Sequence, residues 1–570
     1  MAFKKQYYSR VSILVAGLFL LLLNWAASVW HTRIDFTAEK RFTLSEATKN
    51  LLKKTEGVIE VQVFLTGNLP SGFRQLGKST EEMLQEFKEV AGNKIEYHFI
   101  SADEKMPGTA TSYADTLVSM GLYPINLTSQ VEQGQQQQLV YPAAFMAYNN
   151  RVIPISLYQG KTPLINFQEL SSAAALLEYK LADGISKITT NEKPVVAFAI
   201  GNGEPEDYST YDLVQNVLKP NYTLFTFNLK TQPLLPKEFK VLLVVKPTLP
   251  FGDDEKLKID QYVMNGGKII WFVDRLDAEM DSLQIKNEVI AYDRNLNLTD
   301  LYFRYGVRQN PDLVMDLQCD QLPFDVNGNG QFELLPWNYF PVFDSKNNHP
   351  INRNLGFVVG RFVNSIDTIE AAGIKKTILL SSSANARKIG TPALISGKEN
   401  VNAPENDKFK TANIPVAVLL EGKFRSLYAN RLSQAMQDSL LKYNAQYLPE
   451  NIHDTKMIMV ADGDIPLNAV IKGGQPIAMG MNPYTYGTQR EFMFANREFV
   501  LNCLEFLVNE NGLSEARGKD FVVRLLDIKK VKEEKKFWQG FNTILPVILV
   551  LIFALFFTWM RKRKYAKRNL

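Results

Sequence analysis

The stretch VVAFAIGNGEPED, residues 195–207, places a glycine-rich turn directly after a run of six apolar residues. A continuous apolar run of this length is typical of a strand buried on both faces, as in a parallel sheet. A glycine turn between such a strand and a helix is where α/β proteins hold phosphates or place a catalytic nucleophile. The stretch therefore predicts an α/β fold and makes Gly201, Asn202, Gly203 and Glu204 a candidate ligand or partner turn.

The residues of this turn argue against a bound cofactor. A dinucleotide fingerprint needs a glycine where the chain has Glu206, and the Gly-Lys-Ser/Thr ending of a P-loop is absent. The carboxylates of Glu204, Glu206 and Asp207 would repel a phosphate at the start of the next helix. Asn202 stands where a nucleophile elbow would carry serine or cysteine. We predict neither a cofactor nor a catalytic residue at the turn.

Apolar strand patterns alternate with helical patterns through the second half of the chain. Strands are predicted at residues 223–229, 240–245, 268–274 and 456–464, and helices at 212–220, 253–267 and 497–508. This alternation predicts a parallel, doubly wound sheet. We therefore assign residues 194–512 to one α/β domain with a turn-rich insertion around residues 300–450.

A smaller α/β domain is predicted for residues 31–193, with its boundary at Lys193 and Pro194. Thr43 or Ser45 can cap its first helix. The polar run QGQQQQ, residues 133–138, is interpreted as a hairpin loop. Strands are predicted at residues 58–67 and 94–100, and long helices at 71–92 and 167–189.

Two uncharged apolar segments, residues 11–30 and 541–560, are each long enough to cross a bilayer as a helix. Trp538 and Trp559 suit the membrane interface at the second span. The tails at residues 1–10 and 561–570 hold nine basic and no acidic residues, which leaves 55 basic against 60 acidic residues elsewhere. The positive-inside rule then places both termini in the cytoplasm and the long middle region on the far side.

The main alternative for the first span is a cleaved signal peptide with Ala26 and Ser28 at its cleavage site, but its apolar run is longer than such peptides need. Because the basic tails adjoin membrane spans, we expect them to contact anionic lipid and not nucleic acid. Residues 513–540 form a charged juxtamembrane connector, which either spaces the domain from the membrane or offers a surface to a membrane partner.

Asp274, Asp462 and Asp464 each follow a predicted strand, with Asn468 close behind. In an open α/β sheet this edge is where ligands bind, and carboxylates there suit a divalent metal ion. The same residue types also terminate strands. Turn chemistry is the favoured interpretation, and no metal site is predicted.

The run DVNGNG, residues 325–330, matches the first half of an EF-hand loop, but Pro336 stands where the bidentate glutamate belongs. We interpret it as a turn between strands. Neither GxSxG nor HExxH occurs, and Cys319 and Cys503 are the only cysteines, of which Cys503 lies in an apolar helical pattern. The histidines, His31, His98, His349 and His453, adjoin no candidate nucleophile. The sequence therefore predicts a protein that is not an enzyme.

Several segments together resemble one known family over essentially the full chain: TAEKRFTLS at residues 37–45, AIGNGEPE at 199–206, NGGKIIWFVD at 265–274, PWNYFP at 336–341 and VADGD at 460–464. They are similar to the gliding-motility-associated ABC transporter auxiliary proteins of the GldG-like family. The resemblance implies a bacterial inner-membrane protein with a large periplasmic part that acts with a polytopic permease and a cytoplasmic ATPase. It also implies a flavodoxin-type, glutamine-amidotransferase-like domain without catalytic residues. The family turn often reads GHGE, and Asn202 replaces its histidine here.

The expected function is thus a non-catalytic, double-anchored auxiliary subunit that couples the permease and ATPase to a periplasmic substrate or envelope protein. The chain has no Walker motif, so any ATP would be bound by another subunit. Two alternatives remain open. One is an anchored periplasmic hydrolase or metal-dependent enzyme that uses Asp274, Asp462 and Asp464, and the other is a structural scaffold of the envelope.

Overall fold

The computed structural model describes residues 43–566 together with residues 15, 17–22 and 24. Gaps within that range fall at residues 123, 132–133, 159–166, 191, 281–282, 284–287, 327–328, 345–346, 348, 354, 397–405, 444, 489 and 510–527. The chain divides into two units, residues 1–520 and 521–570.

The amino-terminal part of the first unit is a four-stranded sheet with helices, in the order β2-β1-β5-β6. The four strands of this sheet are β1 Ile59–Val63, β2 Ile95–Phe99, β5 Ala143–Tyr148 and β6 Arg151–Ser156, and two further strands of this part are β3 Ile125–Val131 and β4 Gly134–Val140. The helices of this part are α1 Glu46–Lys54, α2 Ser71–Ala91, α3 Tyr113–Ser119, α4 Phe167–Ala175 and α5 Leu177–Thr189. The Ser45 hydroxyl accepts a hydrogen bond from the Thr48 amide at 3.2 Å and caps α1, as predicted.

One prediction in this part is wrong, and one helix is interrupted. The run QGQQQQ is not a loop, because residues from Gly134 onward form β4, which pairs antiparallel with β3 in a two-stranded sheet of its own. Backbone groups make that ladder, so a glutamine-rich composition does not prevent it. The predicted helix over residues 167–189 is confirmed except at Leu176, where it divides into α4 and α5. The Leu176 amide is shared between the carbonyls of Ser172 and Ala173.

A seven-stranded sheet, in the order β19-β22-β23-β10-β9-β7-β8, organises the rest of the first unit. Its strands are β7 Val195–Ile200, β8 Thr223–Asn228, β9 Phe239–Val245, β10 Lys268–Phe272, β19 Ile374–Ser381, β22 Pro415–Gly422 and β23 Thr455–Val460. Strands β8, β7, β9, β10 and β23 are mutually parallel, and β22 runs antiparallel to them. Strand β19 pairs antiparallel with β22 and so runs in the same direction as the parallel strands. The parallel strands follow the order 2-1-3-4-5 known from flavodoxin-like sheets, which opens a crevice between the first and third strands, here β7 and β9.

Both faces of the sheet are covered, which explains the continuous apolar runs of its strands. Val241 and Leu243 face one core with Phe499 and Cys503, whereas Leu242 and Val244 face the other. The covering helices are α6 Asp253–Met264, α7 Thr299–Tyr305 and α9 Asn496–Val508, and a further helix, α8 Gln434–Lys442, packs with α6 in a smaller cluster. The helical segment predicted at residues 212–220 contains a π-helix, Leu213–Leu218. Cys503 is fully buried, in agreement with its predicted core position.

The predicted insertion at residues 300–450 is wrong in its bounds, because the chain returns to the main sheet twice within it as β19 and β22. The apolar run of β22 pairs directly with β23 and belongs to the buried sheet. The remaining strands of this part form smaller sheets of two or three strands. These strands are β11 Leu276–Asp277, β12 Glu288–Asp293, β13 Val307–Gln309, β14 Asp312–Asp316, β15 Cys319–Phe324, β16 Glu333–Phe343, β17 Val358–Val359, β18 Ile366–Thr368, β20 Ala386–Gly390, β21 Ala393–Ser396, β24 Val470–Ile471 and β25 Gln475–Pro476.

The DVNGNG segment connects β15 to β16, as expected for a turn between strands. The Asp325 carboxylate accepts hydrogen bonds from the backbone amides of Asn329 and Gly330 at 3.1 and 3.0 Å. Asn327, at the third position of the EF-hand match, lies outside the described residues. The aspartate therefore shapes the turn.

The second unit contains one long helix, α10 Ile528–Ala566. Its stretch Glu534–Arg563 is long and apolar enough to cross a membrane, and among the described residues it is the only helix that meets this criterion. The stretch contains the predicted span at residues 541–560. Most of the predicted span at residues 11–30 and much of the connector at 513–540 lie outside the described residues.

Candidate functional site

Four neighbouring parallel strands, β7, β9, β10 and β23, end at the same edge of the main sheet. The Gly201 turn follows β7, Lys246 follows β9, Asp274 follows β10, and Asp462 and Asp464 follow β23. Because parallel strands present their carboxyl ends together, residues far apart in sequence meet here. This edge is the candidate functional site.

The structure brings the three predicted aspartates together. Asp274, Asp462 and Asp464 each offer one carboxylate oxygen, and these oxygens lie within 4.8 Å of one another. Such a spacing allows shared coordination of a divalent ion, so these three residues are the ones that could hold a metal. Asn468 is directed elsewhere, since its side-chain oxygen accepts from the Asp212 amide and its nitrogen donates to the Tyr208 carbonyl.

A lysine already supplies positive charge to this cluster. The ammonium of Lys246 lies 2.7 Å from Asp464 and 3.5 Å from Asp274. A fourth carboxylate, Glu279, lies 3.0 Å from the same nitrogen. The Lys246 side chain is 11% exposed, so these charges interact with little solvent screening. The cluster is thus an internal ion-pair network.

The backbone directs this lysine into the cluster. Lys246 has φ +44°, a left-handed conformation that is uncommon for a residue with a side chain. Its amide donates to the Phe272 carbonyl at 2.8 Å, which ties the end of β9 to β10. Gly463 makes room, because a Cβ atom there would come within 2.7 Å of the Lys246 side chain and 2.9 Å of Asp274. Sequence reasoning missed Lys246 and Glu279; a lysine immediately after the apolar run at residues 241–245 was the available signal.

Burial dominates the titration of Asp274 and Asp462. It raises the pKa of Asp274 to about 6, with Lys246 lowering the value and Asp464 raising it. Burial also raises the pKa of Asp462 well above its usual range, with the neighbouring aspartates adding to the effect. Backbone amides of Arg361 and Asp464 donate to the two Asp462 oxygens at 2.8 and 2.7 Å. The carboxylates are therefore positioned mainly by the protein itself.

The Gly201 turn is closed by hydrogen bonds to neighbouring protein groups. Asn202 is fully buried, and its side-chain nitrogen donates to the Pro250 carbonyl and to Glu255, both at 3.2 Å. Its backbone carbonyl accepts from the amides of Thr248 and Leu249 at 2.9 and 2.8 Å. The turn after β7 is thereby fastened to the loop after β9, across the crevice where an α/β sheet usually binds its ligand.

The glycines of the turn are required by this close contact. Gly203 has φ +79°, and a Cβ atom there would lie 2.1 Å from the Thr248 hydroxyl. Glu204 is 6% exposed and accepts from the Asn202 amide at 2.7 Å. Burial raises the pKa of Glu204 to about 7, against the lowering effect of its backbone hydrogen bonds. The turn is thus filled by protein groups and presents an acid, which suits neither a phosphate nor a nucleophile.

Comparison with known proteins adds to this geometry. Residues 193–503, more than half of the chain, match the model of a family described as an ABC-type uncharacterized transport system. The chain belongs to this family. In this ABC-type transport-system protein, residues 38–147 also match a domain of unknown function. Family membership gives the chain a transport-associated role in connection with an ABC transporter, and together with the apolar helix α10 it fits a membrane-associated protein.

An uncharacterized protein from Borreliella burgdorferi is 24% identical to this transport-system protein over 562 residues, which is 96% of each chain. Among solved structures, an IFT52 amino-terminal domain matches with 13% identity and a TM-score of 0.30, over 55% of this chain and 97% of its own. A putative ThuA-like protein from Parabacteroides merdae matches with 8% identity and a TM-score of 0.24, over 59% of this chain and 94% of its own. Neither likeness is close enough to support a conclusion about this protein.

Proposed function

We propose that this chain is a non-catalytic, membrane-anchored auxiliary subunit of an ABC-type transporter associated with gliding motility. Residues 1–10 and 561–570 lie in the cytoplasm, residues 11–30 and 541–560 cross the bacterial inner membrane, and the domains between them are periplasmic. The subunit couples a polytopic permease and a cytoplasmic ATPase to a periplasmic substrate or envelope protein. Membership of the transport-system family and the GldG-like resemblance support this assignment.

The observation that carries the proposal is the filled sheet edge. In an α/β enzyme the carboxyl ends of the strands surround a substrate, whereas here Asn202 and Glu255 bond to each other across the crevice. Lys246 also supplies the positive charge that a catalytic metal would bring. The edge stabilises the fold through its own contacts, which favours a binding and coupling role over catalysis.

Contacts between α5 and α9 support coupling within the first unit. Lys187 and the Tyr179 hydroxyl of α5 both bond to Glu505 of α9. Arg497, also on α9, binds Asp212 at 2.6 Å. In the chain, α9 is the last helix before α10, which carries the carboxy-terminal span. A change transmitted along the chain from that span would reach α9 first and then both halves of the α/β part.

Gentle detergent purification of the tagged chain from native membranes tests the assignment. Recovery of a polytopic permease together with an ATPase is the expected result, and recovery of the chain alone would count against it. Coupling has a separate test in the recovered complex. Glu505→Gln should leave the complex assembled but change its ATP hydrolysis rate, and an unchanged rate would contradict the coupling role of α9.

The metal-dependent enzyme is the second candidate, because three carboxylate oxygens lie within 4.8 Å of one another. It requires that a metal displace the Lys246 ammonium from Asp464. Metal addition to the wild-type chain and to the Lys246→Met variant separates the two candidates.

A further inference from the structure

A cavity with a volume of about 860 Å³ lies in the first unit, beside the sheet edge. Val273 and Arg275 line it, whereas Asp274 between them faces Lys246 in the ion-pair network. The walls also come from the loop before α7, from α7 itself and from residues 427–431. This volume falls in the range of small-molecule sites, about 300–1,000 Å³.

The acidic residues of the cavity are already paired with cations. Arg275 binds Asp293 through two of its nitrogens, each at 2.9 Å. Lys256 binds both oxygens of Asp300, at 3.0 and 3.2 Å. These pairs leave the positive charges of Arg304 and Arg431, which also line the cavity, in excess.

The excess charge comes with unused hydrogen-bond donors. Arg304 donates through Nε to the Ser426 carbonyl at 3.1 Å, and its two terminal nitrogens have no partner in the described part of the chain. The Arg431 guanidinium likewise has no hydrogen-bond or ion-pair partner within residues 43–566 as far as they are described. A third lining residue, Tyr302, is 4% exposed, and its buried hydroxyl has no hydrogen-bond partner among the described residues.

Burial raises the pKa of Tyr302 well above its usual range, so its hydroxyl keeps its proton and remains a donor. Buried polar groups are nearly always hydrogen-bonded, so this hydroxyl calls for an acceptor. Arginine guanidinium groups match the paired oxygens of carboxylates and phosphates in geometry as well as in charge. Apolar side chains, Leu296, Leu298 and the 56% exposed Phe303, offer contact for a carbon skeleton.

We propose that this cavity binds a small organic oxyanion, which presents carboxylate or phosphate oxygens to Arg304, Arg431 and the Tyr302 hydroxyl. The proposal does not depend on the transporter role, because binding is measured on the chain alone. A neutral ligand would leave both guanidinium charges uncompensated, and a cation would be repelled by them.

Isothermal titration of the full-length chain in detergent, at an ionic strength of about 0.15 M, tests this proposal. The probes are citrate for carboxylates, inorganic phosphate and glucose 6-phosphate for phosphates, and glucose as the neutral control. We expect saturable binding of citrate or of a phosphate probe, and no binding of glucose. The probe that binds distinguishes the two oxyanion classes.

Arg431→Gln and Arg304→Gln should each weaken that binding about tenfold, and Tyr302→Phe several-fold, since each removes a donor to the anion. Arg490→Gln is the matched control, because Arg490 is exposed and lies outside the cavity lining; its affinity should equal that of the wild type. The proposal is overturned if no oxyanion probe saturates below about 10 mM, or if Arg431→Gln and Tyr302→Phe bind as the wild type does. Arg431 is exposed and Tyr302→Phe keeps the ring, so both variants are expected to fold.

Discussion

Lys187 of α5 and Glu505 of α9 form an ion pair at 2.5 Å between the first and the second half of the α/β part. Asp183 holds the same ammonium at 2.7 Å, and the Tyr179 hydroxyl donates to the same glutamate. The Glu505 side chain is 6% exposed, so the contact is a buried one. A single carboxylate therefore joins elements that lie more than 300 residues apart in the chain.

Replacing this carboxylate should weaken the fold. Glu505→Gln leaves Lys187 with Asp183 as its remaining acid, and we expect a loss of about 1–3 kcal/mol in the free energy of unfolding. The urea midpoint of the full chain measures it. Glu450→Gln is the matched control, because its pair with Lys423 is about half exposed on both sides, and its midpoint should stay within about 0.5 kcal/mol of the wild type. Equal effects of the two substitutions would show that the α5–α9 contact is not specially stabilising.

The charge balance at the sheet edge can be tested by removing its cation. Lys246→Met leaves Asp274 and Asp464 close together without a compensating cation, whereas Glu279 keeps its pair with Arg294, and we expect a loss of about 3–5 kcal/mol. In that variant, Mn²⁺ or Ca²⁺ should raise the thermal midpoint, because the oxygens of three aspartates then face an unoccupied position. The wild-type midpoint should not respond to these ions or to a chelator. A wild-type response that disappears in Asp464→Asn would favour the metal-dependent enzyme.

Glu204 makes stability depend on pH. Its pKa is about 7 in the folded chain, against an ordinary value of 4.5, so the folded state binds more protons than the unfolded state between these values. Stability from this group is therefore present below about pH 4.5 and lost as the pH rises to about 7, by an amount on the order of 3 kcal/mol. Glu204→Gln stays neutral and keeps the acceptor for Asn202. The difference in unfolding free energy between variant and wild type, measured from pH 4 to pH 8, should grow with pH in favour of the variant; a constant difference would refute this assignment.

Gly203→Ala tests the contact between the turn and the loop after β9. The new Cβ would lie 2.1 Å from the Thr248 hydroxyl at a φ of +79°, and we expect a loss of about 2–4 kcal/mol. Gly330→Ala is the matched control, because Gly330 has φ +78° and no atom of the described residues within 4 Å of its Cβ position; it should cost about 1 kcal/mol. Adding Thr248→Ala should restore part of the loss at Gly203. Equal losses at the two glycines would mean that steric contact does not matter there.

Truncation tests the proposed first anchor. A chain ending at residue 520 lacks α10, which holds the only membrane-spanning candidate among the described residues. If residues 11–30 stay in place as a span, this truncated chain should remain in the membrane pellet after carbonate extraction. Its release into the soluble fraction, with a shortened amino terminus, would support the cleaved signal peptide instead.

Much of the main sheet could be predicted from the sequence, because β7, β9, β10 and β23 are apolar runs long enough to be recognised without their partners. Their parallel order follows from the helices between them, so the meeting of Asp274 with Asp462 was predictable as well. Lys246 was not, since its role depends on a left-handed backbone that turns its side chain toward Asp464. Strand β22 was missed because the chain reaches the sheet antiparallel, from within a turn-rich region, where helix alternation gives no signal.

The ammonium of Lys246 differs from a bound metal in one respect. A metal ion leaves its site at a rate set by its affinity, and the occupied fraction follows the ion's concentration in the surrounding medium. A cation attached to the backbone through its own side chain cannot be diluted away. The loops after β9, β10 and β23 are therefore held by a counter-ion whose presence does not depend on the concentration of any metal ion in the medium.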